Sequence, residues 1–241
     1  MNIDPLHQFL ISPIIKISFF DLDLSFTNSS LFMIIITSSI IALFYRGLRL
    51  AQLCPGRLQM TAELLFSFTH DTLKSSAGKE SLNHFPLIFS VFLFVLFSNI
   101  FGMIPGGFTV TSHIIVTFAI AFLLFVIITI VGFQKQGLSF FKRFLPSGVP
   151  WLIIPMIVPV EILSYIFRPI SLSIRLFANM LAGHIILKIF AGFTIMMGFF
   201  GFLPLGLNII FVGFEFFVAA LQAYIFTILS CAYLNDALHS H

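Results

Sequence analysis

LSIRLFANMLAGHI, residues Leu172–Ile185, carries the reading of the whole chain. It sets an arginine, an asparagine and a histidine inside sequence that is apolar for tens of residues on both sides. Across all 241 residues the pattern is the same: 59% are hydrophobic and only 9% charged, against about 25% charged in soluble domains. So few charges cannot cover a soluble surface, and mean hydropathy is +1.10. The fold class expected is an all-α polytopic membrane protein. The net charge of +3 is small and dispersed, which leaves no nucleic-acid footprint. Cys54 and Cys231 have neither metal-ligand spacing nor a disulfide framework. At the start, Asp4 stands where a signal peptide carries positive charge, and Pro13 and Lys16 interrupt the apolar run, so no cleaved signal is expected.

Working outward, five hydrophobic segments emerge at 28–46, 84–105, 109–133, 149–198 and 203–235. A helix crosses the hydrocarbon core in about 20 residues. The first three segments are ordinary spans, whereas the last two must tilt, kink or run partly along the membrane. Pro150, Pro155, Pro159 and Pro169 predict an irregular or kinked beginning to the fourth. The whole reads as a single membrane domain, 1–241. Residues 1–26 form an outer N-terminal segment and 28–46 the first span. A surface helix at 56–78 follows, then a helical hairpin at 84–133 and a long hairpin at 149–235.

Between the first two spans lies GRLQMTAELLFSFTHDTLK, residues 56–74. Gln59, Glu63, Ser67, His70 and Lys74 recur at helical spacing, with Leu58, Ala62, Leu65 and Phe68 on another face. This predicts an amphipathic helix, either lying on the inner membrane surface or packed on a partner. Basic residues sort the loops. Arg46, Arg49, Arg57, Lys74 and Lys79 follow the first span, and Lys135, Lys142 and Arg143 follow the third. The turns at 105–107 and 198–206 carry no charge. The positive-inside rule then puts the basic loops and the C-terminus in the cytoplasm or matrix, and the N-terminus, with Asp4, Asp21 and Asp23, outside.

Glu161, Arg168, Arg175 and Lys188 remain within the fourth segment, and Glu215 within the fifth. An arginine in mid-membrane costs at least about 2.5–3.5 kcal/mol. Glu161, Arg168 and Arg175 are spaced by seven and lie within about 40° of one another on a helix, with Asn179 on the same face. Asn208, Glu215 and Gln222 also repeat at seven. Two such stripes facing each other would make a hydrated seam. His184 stands about half a turn off and about 13.5 Å along the axis from Arg175, which suggests a proton relay divided by a fixed positive charge. Each residue also has a plainer reading. Arg168 and Lys188 snorkel to opposite membrane faces. Asn179 and Gln222 act as interhelical hydrogen bonds, worth about 0.6 kcal/mol. His184 is a buried neutral imidazole, Glu215 a silent protonated carboxyl, and His113 an interfacial histidine. Arg175 is the hardest to explain structurally, because its guanidinium stays charged.

G-x-S-x-G, H-E-x-x-H, P-loop and G-x-G-x-x-G patterns are all absent from the sequence, as is an intramembrane aspartate pair. A secondary transporter with a midplane site would show repeated, broken helices in matching halves. Here the polar residues crowd the last third instead. A purely structural anchor would have no need of Arg175.

SLSIRLFANMLAGHIILKIFAGF (171–193) and GFEFFVAALQAYIFTILSCAYLNDA (213–237) resemble the a-subunit family of F-type rotary ATP synthases. PVEILSYIFRPISLSIRL (159–176) and FSNIFGMIPGGFTVTSHI (97–114) extend the likeness. His184 with Glu215 is similar to the mitochondrial and alphaproteobacterial branch. The resemblance implies a stator subunit without catalytic residues, cofactor or metal. Its last two helices would lie steeply tilted against a ring of c subunits, with peripheral-stalk and other membrane-sector subunits and lipids as partners. It further implies that Arg175 is the essential arginine, with Asn179 and Gln222 as its polar neighbours. His184 and Glu215 would belong to an outer half-channel to which His113 contributes, and Glu161 to an inner one, with protons as the transported ion. The implied location is the mitochondrial inner membrane or an alphaproteobacterial plasma membrane. Met1, heavy Phe and Ile usage and the lack of a presequence favour the former.

Overall fold

A computed structural model describes residues 10–16, 18–19, 22–23, 25–49, 52–104, 107–137, 139–140 and 153–238. The charged residues Asp4, Asp21, Lys142 and Arg143, the turn residues Pro105 and Gly106, and Pro150 lie outside that set. Among the described residues six α-helices follow one another: α1 (Asn28–Arg49), α2 (Arg57–Ala77), α3 (Phe85–Gly102), α4 (Ile114–Gln136), α5 (Ile154–Met196) and α6 (Phe202–Leu238). Five are long and apolar enough to cross a membrane, and α2 is the exception.

Ahead of α1 the chain folds back on itself, a feature sequence reading did not anticipate. Strands β1 (Pro13–Ile15) and β4 (Phe26–Thr27) pair antiparallel, as do β2 (Ser18–Phe19) and β3 (Leu22–Asp23). Asn28 ties this segment to the helix start: its amide donates to the Leu10 carbonyl and its Oδ1 accepts from the backbone of Ser12 and Ser29. Thr27 accepts the Ser30 N–H and so satisfies one of the orphan donors of the first turn. Arg46 and Arg49 close α1, where cations favour the helix dipole.

α2 forms where amphipathic periodicity expects it, but its inward face differs. Gln59, Ala62, Thr69, Leu73 and Ala77 are buried, while Leu58 and Phe68 are exposed. Gln59 turns inward because it closes the preceding loop. It exchanges hydrogen bonds of 3.1 Å with the Gln52 backbone and donates to Glu63 at 2.7 Å. The helix rests on α1, α3 and α6.

α6 is the hub, packing against α2, α3, α4 and α5. Its buried stripe includes Ala219, Ala223, Ser230, Cys231 and Ala237, small side chains that let neighbouring backbones approach. Leu172 and Leu176 of α5, Leu124 of α4 and Phe92 of α3 fill the surrounding core. α5 is one helix of 43 residues with Pro155 in its first turn and Pro159 and Pro169 in its interior. The helix begins at Ile154, and the stretch before Ile153, where the prolines predict an irregular entry, lies outside the described residues. At 1.5 Å per residue α5 is about 64 Å long and α6 about 56 Å, roughly twice the hydrocarbon thickness. Lys135 bonds Glu80 at 3.0 Å, and the Gln136 amide donates to the Ala237 carbonyl at 2.9 Å. These bonds gather the start of α3, the end of α4 and the end of α6 at one end of the bundle.

Candidate functional site

The stripes predicted from spacing meet along the α5–α6 seam. Nearest the end just described, Arg168 Nη1 lies 3.2 Å from Asp236 Oδ2. Its guanidinium also sits over the rings of Tyr165 and Tyr233, 5.2 and 4.9 Å from their centroids. The expected snorkelling of Arg168 to lipid is therefore corrected. α6 supplies both a counter-ion and an aromatic ring, which hold the charge against protein. Tyr165 in turn bonds Thr129 of α4 at 2.7 Å.

Seven residues on, Arg175 is exposed at the surface of the chain. Among the described residues no side chain hydrogen-bonds it or pairs with it. Asn179, one turn further and also exposed, donates to Gln222 Oε1 at 2.9 Å across the seam. Gln222 itself is buried, and its amide nitrogen has no hydrogen-bond partner among the described residues.

Toward the other end, His184 and Glu215 are 7% and 6% exposed, with His184 Nδ1 3.8 Å from Glu215 Oε1. Both carboxylate oxygens are buried without a hydrogen bond among the described residues. The close approach depends on Gly183: a Cβ there would stand 2.5 Å from Glu215 Oε1 and 2.8 Å from its Cδ. Beside the carboxylate a cleft of about 300 Å³ opens between the helices, bordered by Asn179, Gly183, Phe211, Phe214 and Glu215. It has room for several waters, and two polar groups border it. A buried oxygen pair without hydrogen bonds, next to such a cleft, is placed to exchange protons with water.

The remaining expected residues divide. His113, just before α4, stacks on Phe108 with centroids 5.0 Å apart, and no hydrogen bond joins it to His184 or Glu215. Burial lowers its pKa below the ordinary 6.5. Glu161 is half-buried near the start of α5, two turns before Arg168, and forms no ion pair among the described residues. Asn208, the third member of the α6 stripe, has a buried Oδ1 without a hydrogen bond. Among the described residues no cluster of three His, Cys, Asp or Glu could hold a metal.

Sequence reasoning missed the polar groups that α3, α4 and the segment between them bring to the seam. Asn99 is fully buried. It donates to the Ala219 carbonyl of α6 at 3.0 Å and accepts from Thr111 at 2.9 Å. Thr109 reaches His184 Nε2 at 3.0 Å, and Thr117 meets Ser173 at 3.2 Å. Asn99 within an apolar run was the one visible signal; spacing alone gives no hint of contacts spanning 56 to 120 residues.

The family described as ATP synthase A chain matches residues 29–235. The chain is 50% identical over 245 residues to "ATP synthase subunit a" of Pelagibacter ubique, covering 100% of both chains. It is 49% identical over 244 residues to "ATP synthase subunit a" of Parvibaculum lavamentivorans, covering 98% of this chain and 94% of the relative.

Proposed function

Because this chain belongs to the ATP synthase A chain family, a proton-channel component of the membrane sector, we propose that it is the stator past which a ring of c subunits turns. In this reading α5 and α6 lie steeply tilted in the bilayer, since each is about twice as long as an upright crossing needs. Their exposed faces, with Ile174, Phe214 and Phe217 among them, meet the ring rather than lipid.

The single observation that carries the reading is Arg175, exposed in mid-span without a counter-charge among the described residues. Facing lipid, such a guanidinium would cost about 2.5–3.5 kcal/mol or more. Facing a ring helix it meets a carboxylate that must lose its proton in low dielectric. Desolvation disfavours that ionised form, and a nearby guanidinium restores it. The same charge repels a proton that would otherwise pass straight across. Asn179 and Gln222, already bonded to each other, present amide groups beside this position.

Protons reach the ring through the outer path past His184 and Glu215, with His113 at its outer end, and leave by an inner path past Glu161. His184 and Glu215 load the ring, Glu161 receives the released proton, and Arg175 separates the two paths. The chain catalyses no chemistry on ATP, needs no cofactor, and works with peripheral-stalk and other membrane-sector subunits and with lipid. The basic loops and C-terminus face the cytoplasm and the N-terminal segment, from Asp4 on, faces outward. Since both relatives are alphaproteobacterial, we place the chain in a bacterial plasma membrane rather than a mitochondrial one.

Purification of the complex under mild detergent tests this reading. The chain should travel with an oligomeric ring of small two-helix proteins, and vesicles holding the complex should make ATP from a proton gradient. A chain that purifies alone and carries a solute unaided would sink it.

A further inference from the structure

Thr109 belongs to the segment between α3 and α4, yet it is 1% exposed and its hydroxyl reaches the seam. Oγ1 stands 3.0 Å from His184 Nε2 and 3.4 Å from the Gly102 carbonyl. The carbonyl only accepts, an imidazole nitrogen donates or accepts according to its tautomer, and a hydroxyl does both. A hydroxyl in this place therefore satisfies Nε2 in either state. With the proton on Nε2, Thr109 accepts it and turns its own hydrogen toward Gly102. With Nε2 bare, the hydrogen turns to the ring.

The placement is built. A Cβ on residue 102 would lie 2.7 Å from Thr109 Cγ2 and 3.1 Å from its Oγ1, so a side chain at 102 would push Thr109 from this position. Ser112 donates to the Thr109 carbonyl at 2.6 Å and holds the backbone. On the far side of the ring, Nδ1 faces Glu215 Oε1 at 3.8 Å.

We propose that Thr109 is a positioning residue for the outer proton path: by partnering Nε2 it presents His184 Nδ1 to the Glu215 carboxylate, whichever ring nitrogen carries the proton. The inference rests on the outer-path reading of His184 and Glu215. It makes the segment between α3 and α4 a working part of that path and not a passive turn.

Valine and serine separate hydroxyl from methyl. In the intact complex reconstituted in vesicles, Thr109→Val keeps the shape and loses the hydroxyl, and proton-driven ATP synthesis should fall about fivefold. Thr109→Ser keeps the hydroxyl and loses the methyl packed at Gly102, and synthesis should stay within about twofold of wild type. Wild-type synthesis in Thr109→Val, or a fall in Thr109→Ser as deep as in Thr109→Val, overturns the proposal. Glu215→Gln runs alongside: if that variant alone is slow, the Thr109 role fails and the outer path stands, whereas normal flux in Glu215→Gln removes the path itself. Should Thr109→Val not assemble, the unmodified complex still decides. Solid-state NMR of complex labelled with ¹⁵N-histidine and ¹³C-threonine should show a His184 Nε2–Thr109 Cβ correlation, and its absence refutes the contact.

Discussion

Arg168 and Arg175 sit on one helix, seven residues apart, and the fold treats them oppositely. Arg168 is half-buried, paired with Asp236 and flanked by two tyrosine rings. Arg175 is exposed and has no counter-ion among the described residues. Spacing alone makes the two equivalent, because the seven-residue repeat puts them on nearly the same face. What separates them is the other helix. α6 carries an acid beside the first and none beside the second, so one charge is consumed by the fold and the other is left for something outside it.

The sharpest way to break this comparison is to remove Arg175. Arg175→Ala should assemble yet drop coupled synthesis below about 1% of wild type, the loss that roughly 2.7 kcal/mol produces. Arg175→Lys should also fail, because lysine deprotonates when desolvated and lacks the planar fork. Wild-type synthesis in vesicles carrying the alanine variant would reduce Arg175 to an ordinary surface residue. Next in size is Glu215→Gln, which should slow proton-driven synthesis about tenfold or more with the complex intact.

Arg168 should respond differently. Arg168→Gln and Asp236→Asn should each lower the thermal stability of the complex by on the order of 1 kcal/mol and leave most synthesis. Exchanging the two charges should recover part of that loss. If Arg168→Gln instead abolished synthesis as Arg175→Ala does, the distinction between the two arginines would collapse.

The smallest effect concerns His113. Its pKa is lowered in the fold, so the unfolded chain protonates first as pH falls. Its contribution to stability is complete above the ordinary value of 6.5 and is lost as pH falls from there through the lower folded value. Between about pH 7.5 and about pH 5.5 the wild-type complex should lose slightly more thermal stability than His113→Gln, and equal losses would remove the effect.

Periodicity made much of this legible. Helix positions follow from hydrophobic runs, and Asn179 and Gln222 fall on the polar repeats of α5 and α6, whereas His184 lies off its repeat and its grouping with Glu215 comes from the family resemblance. Partners from other elements are not legible in this way. Asp236 could not be picked out, because nothing in spacing says how far along α6 the partner of Arg168 lies. Asn99 and Thr109 enter the seam from α3 and the segment after it, whose approach depends on tertiary packing. Gln59 read as surface because a polar side chain at helical spacing says nothing of an unpaired loop backbone next to it.

Gly183 ties together two positions 32 residues apart through the space they share. Any side chain at 183 would enter the volume that the Glu215 carboxylate occupies. The carboxylate, as the movable end, would yield first and swing away from His184, so the damage would fall on proton delivery before it fell on folding. A side chain at 183 and the present placement of the Glu215 carboxylate exclude each other, so the backbone of α5 sets where an acid on α6 can stand.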